Sequence, residues 1–356
     1  MLLVCSMVCA YGYAQETAVP APDNKAEACT TGCCCDQSNQ APLGIMTDHI
    51  HKKGEWMLSY TYMDMMMQGN RTGTANADDN TVYKSYGMAP ETMTMQMHMA
   101  MLMYGVTDRL TLMAMGGYSV YNMNMNMSNN MPYMPGMSMG QMTMQSMSSG
   151  FTDTRVSALY NFSNKATQRI IGSLGINMPT GTIMATGTTM LGDNQRVPYD
   201  MQPGTGSFGI VPGITYVRTY TAFSFGADAG ADVKLNKNSI GYKDGNVYHA
   251  GAWAGYKFLP FVTGSLRAEY VNTGKITGSD PQIAIPIFEA NDPTANTANY
   301  GGQWVNVYAG LNFHINKPMW SKFSLLMEYG LPVYQNLNGV QSALHGTALA
   351  GLQYSF

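Results

Sequence analysis

Between Glu55 and Phe356 the apolar residues of this chain return at every second position, in stretches of about ten residues. No run of about 18 apolar residues breaks the pattern, so transmembrane helices are excluded. A period of two puts alternate side chains on opposite faces of a β-strand. The clearest stretch is 222–235, where Phe223, Phe225, Ala227, Ala229, Ala231, Val233 and Leu235 alternate with Ser224, Asp228, Asp232 and Lys234. Such a two-faced strand must lay its apolar side against a second sheet or against lipid. Charge decides between them. Charged residues are 12% of the chain, where about 25% is ordinary for a soluble domain. A surface so poor in charge suits the outside of a transmembrane barrel, whose polar faces turn inward.

Twelve such stretches can be counted, near 55–65, 92–104, 109–121, 151–162, 168–178, 206–217, 222–235, 246–258, 261–272, 303–315, 321–331 and 342–356. The gaps alternate in length. Short ones, such as Tyr104 to Arg109, separate long ones near 66–91, 122–150, 179–205, 236–245, 273–302 and 332–341. Outer-membrane barrels show that alternation, with tight periplasmic turns and longer outer loops. The predicted fold is all-β, a single closed antiparallel transmembrane β-barrel of about twelve strands over 55–356, in a bacterial outer membrane.

Ahead of it, residues 1–14 read as the apolar core and cleavage region of a secretory signal peptide truncated at its start. Residues 15–54 read as a flexible periplasmic arm rich in polar residues, Pro and Ala. Cys29, Cys33, Cys34 and Cys35 crowd within it and admit two readings, a thiolate cluster for a soft metal or disulfides of an oxidising compartment. His49 and His51 add imidazoles to the metal-ligand candidates, although a lone H-x-H also suits a solvated loop.

Methionine dominates 93–147. Met93, Met95, Met97, Met99, Met101 and Met103 share one strand face; because the other face holds Gln96 and His98, the methionine face is predicted to meet lipid. Met123, Met125, Met127, Met131, Met134, Met137, Met139, Met142, Met144 and Met147 follow among Asn, Ser, Gly and Pro and read as an exposed loop. A thioether is a soft ligand suited to Cu(I), so this loop is a predicted copper site; a pliable apolar surface is the bland alternative. No cofactor is required, and Cu(I) is the one candidate. The inward register carries Asp153, Arg155, Asp228, Asp232, Lys234, Lys257, Arg267, Glu269 and Glu328, either a selectivity lining or ion pairs filling a narrow lumen.

The segment PLGIMTDHIHKKGEWMLSYTYM, the turn YGVTDRLTL, the Pro-Thr-Gly at 179–181 and GLPVYQNLNG at 330–339 resemble outer-membrane proteins grouped as "MetA-pathway of phenol degradation" or simply as transporters. The resemblance implies an outer-membrane barrel and carries over no site residue. The residues show no H-E-x-x-H, phosphate-binding glycine loop or C-x-x-C, and an enzyme is not expected. With a net charge of −3 and no basic run, nucleic acid is not an expected partner. The expected partners are outer-membrane lipid and a small solute or metal ion. The predicted function is a channel or transport component for small solutes. The alternatives are a surface copper-binding protein on a barrel scaffold, and uptake of aromatic compounds.

Overall fold

The computed structural model describes residues 41–128, 142–163, 165, 167–314 and 322–356. The signal-peptide segment, the arm up to residue 40, the four cysteines of the cluster, and Met131, Met134, Met137 and Met139 lie outside the described residues.

The extended segments are β1 (Trp56–Gly73), β2 (Ala75–Ala77), β3 (Met88–Thr107), β4 (Leu110–Met127), β5 (Thr143–Phe151), β6 (Thr154–Asn161), β7 (Gln168–Met178), β8 (Thr186–Thr189), β9 (Gly192–Arg196), β10 (Gly209–Thr219), β11 (Phe223–Lys234), β12 (Val247–Leu259), β13 (Val262–Thr273), β14 (Gly302–His314) and β15 (Phe323–Ser355). Two short helices, α1 (Asp79–Val82) and α2 (Pro286–Asn291), lie in loops. Neighbouring strands pair antiparallel in chain order, and β15 closes the ring on β1. Eleven continuous segments make that closed barrel. A ring in which every neighbour is antiparallel needs an even number of staves, so one segment must supply two. That segment is β15: residues 324–337 pair with β14 and 337–355 with β1. It doubles back at Asn338–Gly339, where Gly339 takes φ 68°, the left-handed conformation that glycine adopts without strain in a tight hairpin. Gln335 Nε2 donates to the Leu344 carbonyl across the two legs at 2.9 Å.

The stretch near 332–341 is therefore a tight turn between long strands and not a loop. In the same way β1 and β3 run deep into the expected gap at 66–91, and β4 and β5 into that at 122–150. Gln, Asn, Ser and Met fill these extensions, which hides strand in what composition alone marks as loop.

Outward residues form an apolar belt that includes Leu58, Leu112, Leu174, Ile214, Leu266 and Leu331, all well exposed. Trp56 and Phe356 exchange backbone hydrogen bonds of 3.0 and 2.9 Å at the end that also carries the short turns. This is the turn end; the opposite, loop end carries the long connections.

Methionine reverses the expected orientation of β3. Met93, Met101 and Met103 are buried and Leu102 is exposed, so the methionine face lines the lumen and Gln96 and His98 are on the outer register. The reason lies in the neighbours: Met57 of β1 and Met113 of β4 flank Met103, and their strands show Leu58 and Leu112 outward. Cross-strand partners share a face. On the outside His98 Nδ1 lies 2.7 Å from the Tyr60 hydroxyl, which gives its ring a polar partner at the lipid-facing surface.

Ala41 to Gly54 do not form part of a flexible arm. Ala41 and Ile45 pack on Val217 and Trp253, Leu43 on Tyr308, Leu326 and Leu349, and Ile50 on Met57, Leu159 and Ile171. One segment can touch inward residues from nearly every side of a ring only by lying inside it. It plugs the lumen at the turn end.

Candidate functional site

The lumen is the site, built in storeys. At the turn end the plug is tied to the wall by polar contacts. The Gly44 N–H donates to Glu328 Oε2 at 2.5 Å, the His51 N–H to Thr111 Oγ1 at 2.9 Å, and Asn312 Nδ2 to the Ala41 carbonyl at 3.2 Å. Within the plug Asp48 Oδ1 lies 2.5 Å from His49 Nδ1, and its other oxygen accepts the Ala41 N–H at 2.9 Å. The rings of His49 and His51 meet edge to face with centroids 5.2 Å apart. Burial, with the neighbouring His49 second, holds the His51 imidazole down to about 4, so it is neutral at physiological pH.

Above the plug the inward charges are paired. Arg267 Nε donates to Glu328 at 3.1 Å, its Nη1 lies 3.3 Å from Glu269, and its guanidinium sits 3.7 Å from the centre of the Tyr308 ring. Asp232 lies between Arg155 at 3.0 Å and Lys234 at 2.9 Å. Asp228 faces His249 at 3.4 Å, and Lys257 occupies the inward register near the turn end. Asp153 differs from the other expected lining residues. It accepts the N–H groups of Gly181 and Thr205, both at 2.9 Å, and so anchors loop backbone to the wall.

Toward the loop end the lumen widens into a cavity of about 410 Å³. Met65, Met67, Met93 and Met95 form one wall, and Trp304 and Tyr308 stand among the remaining lining with Asn306, Gln341 and Ser342. The loops carry a small core of their own, in which Tyr199, Tyr242, Ile283 and Phe288 are buried together. Asp200 and Asp292 are among the carboxyls of these loops. Burial pushes Asp200, which lines the cavity, up to about 7, with Asp292 adding repulsion; burial pushes Asp292 up to about 6.

The predicted loop methionines divide. Met123, Met125 and Met127 are buried, inward-facing residues of β4 packed with Met88, Met93 and Met201; Met144 packs against them, and Met142 and Met147 are exposed. The first three thus correct the expectation of an exposed loop site. Their asparagine neighbours on the other face bond across strands, as Gln145 Nε2 does to Asn122 Oδ1 at 3.0 Å. Among the described residues no three His, Cys, Asp or Glu side chains gather into a group able to hold a metal ion. One enzyme-like string, G-x-S-x-G at Gly136 to Gly140, does occur. That motif needs a strand before it and a helix after it, and here the flanking elements are the strands β4 and β5. The plug and the lumen methionines of β1 and β3 are site features that the residue patterns missed. The H-x-H beside Asp48 was the available signal, since a short polar string that also carries Leu43, Ile45 and Ile50 can be buried.

Fold and lumen together define a closed β-barrel of the bacterial outer-membrane type with an internal plug. Among solved structures the chain is similar to an outer membrane channel from Pseudomonas putida F1, at 14% identity and a TM-score of 0.55, covering 86% of this chain and 97% of that one. Weaker likenesses are to the transport unit of the autotransporter AIDA-I from Escherichia coli, at 10% identity, TM-score 0.48 and coverage of 90% and 95%, and to the KdgM porin, at 11%, 0.39, 84% and 99%. No protein-family model matches the chain, and neither does any curated protein.

Proposed function

We propose that this protein is an outer-membrane channel or transport component for small solutes. The observation that carries the reading is the loop-end cavity: the barrel is plugged below, yet about 410 Å³ of lumen stays open above the ion pairs. Sites for small organic molecules are concave and largely apolar, with a few polar groups that orient the ligand. Four thioethers facing Trp304, Tyr308, Asn306 and Gln341 fit that description. They suit a compact, mostly apolar solute with one or two hydrogen-bonding groups, a class that includes hydroxylated aromatic rings and so agrees with the family resemblance. The apolar belt and the turn-and-loop asymmetry support an outer-membrane location.

Liposome swelling with purified protein tests this. Small neutral solutes that cross bare lipid slowly, polyhydroxylated ones among them, are expected to enter proteoliposomes, and Met95→Trp, which fills the cavity, is expected to slow entry at least tenfold. Swelling no faster than in protein-free liposomes overturns the reading, as does swelling indifferent to Met95→Trp.

A further inference from the structure

We propose that the floor of the lumen is a binding site for a soft monovalent cation, Cu(I), held by Nε2 of His49 and thioethers of Met46, Met99, Met101 and Met115, with His51 as a second imidazole. The site is separate from the loop-end cavity and does not rest on the solute reading.

Four observations converge on it. His49 and these four methionines line one small cavity of about 10 Å³ together with Asp48, Ser59, Thr61 and Gln353; it has about the room one small ion or water needs, and His51 stands next to His49 outside that lining. Nε2 of His49 and Nε2 of His51 are both buried without a hydrogen-bond partner. Buried polar atoms almost always have one, and those that lack it mark a place where something else completes the shell. Asp48 supplies the support that a metal-binding imidazole needs. Its carboxylate lies 2.5 Å from His49 Nδ1, which draws the ring proton to that nitrogen and leaves the Nε2 lone pair free. Finally, two imidazoles that each hold one ion through nitrogen at about 2.0 Å have ring centres about 5 to 6 Å apart. The observed separation is 5.2 Å.

Ligand type selects the ion. Neutral thioethers with imidazole are a soft to intermediate set that favours Cu(I); zinc shares the imidazole preference but completes its shell with thiolate or carboxylate, and the one carboxylate lining the cavity, Asp48, is already engaged by His49 Nδ1 and the Ala41 N–H. The methionine face of β3 also leads to the site. Met95 lines the upper cavity and Met99 the lower, with Met97 between them on the same face. Same-face residues on a strand are about 6.8 Å apart, so an ion can be handed along neutral donors without crossing bare hydrocarbon.

The test uses the full chain with its six cysteines changed to serine, purified as a folded barrel in detergent and titrated with Cu(I) against a chromogenic chelator. One Cu(I) per chain is expected, with both nitrogen and sulfur in its X-ray absorption shell. His49→Gln and, separately, Met101→Leu are expected to weaken binding at least tenfold. Combined Met131→Leu, Met134→Leu, Met137→Leu and Met139→Leu are expected to leave it unchanged. Met-to-Leu changes preserve apolar volume, and heat-modifiable gel migration checks that each barrel is folded. An affinity indifferent to both His49→Gln and Met101→Leu overturns the proposal. So does loss confined to the four-residue loop variant, or a sulfur-only shell; these outcomes leave the lumen methionines as adaptable packing.

Discussion

Glu328→Gln should unlatch the plug without opening the barrel wall. The Glu328 side chain is fully buried, and one of its oxygens accepts the plug's Gly44 N–H at 2.5 Å while the other accepts from Arg267 at 3.1 Å. Glutamine keeps the shape and removes the charge. A hydrogen bond to a charged group is worth about 1.5–3 kcal/mol, against about 0.5–1.5 for a neutral one. The plug's hold on the wall should therefore weaken by about 1–2 kcal/mol, and its open population should rise roughly 5- to 30-fold. Arg267 keeps Glu269 at 3.3 Å and the Tyr308 ring, so the strand ladder has no reason to part. Hydrogen exchange by mass spectrometry reads this directly. Amides of 43–51 should exchange faster by that factor, while amides of β13 and β15 keep their protection. Gly44→Ala reaches the same state by a steric route, because a Cβ there would overlap the Arg267 guanidinium. Unchanged exchange over 43–51 in both variants would refute the argument that this latch holds the plug; equal loss of protection in β13 and β15 would show that the carboxylate serves the wall instead.

The remaining predictions concern the loop end and closure. Asp200 and Asp292, raised to about 7 and about 6, have folded-state values above their ordinary 3.8, so the cost of burying their charge is present above pH 7 and is relieved as pH falls toward 4. Acidification from pH 8 to 5 should thus tighten the loops over the cavity and lower conductance in planar bilayers. Asp200→Asn should remove the part of the change centred near pH 7 and keep the part that Asp292 carries near pH 6, and a conductance that rises on acidification would contradict the sign. Deleting Phe356 removes both backbone bonds to Trp56 and its ring contact with Tyr354, with centroids 5.5 Å apart, and should lower the heat-modifiable barrel fraction on gels. An unchanged fraction would limit Phe356 to a role as an interfacial anchor.

The residue pattern alone was sufficient for the class of fold. A period of two, low charge and alternating gap lengths leave few alternatives to a closed barrel, and antiparallel closure demands an even number of staves whatever the loops do. The inward register of Arg267, Asp232 and Glu328 was equally legible, because a charge beside alternating Leu, Val or Ala has one side to choose. Methionine gave no such direction. It is apolar enough for lipid and pliable enough for a lumen, so a strand with Met on one face and Gln and His on the other has two acceptable orientations when read alone. Pairing with Met57 and Met113 settles the choice, because a strand in register with its neighbours cannot show its faces independently of them. The plug was hidden for a related reason. Ala41 to Gly54 carry too few apolar residues to form a core of their own, and only a ring closed by residues up to 300 positions away gives Leu43, Ile45 and Ile50 somewhere dry to go. Local periodicity is set by neighbours in the chain, whereas burial inside a barrel depends on which surfaces closure brings together.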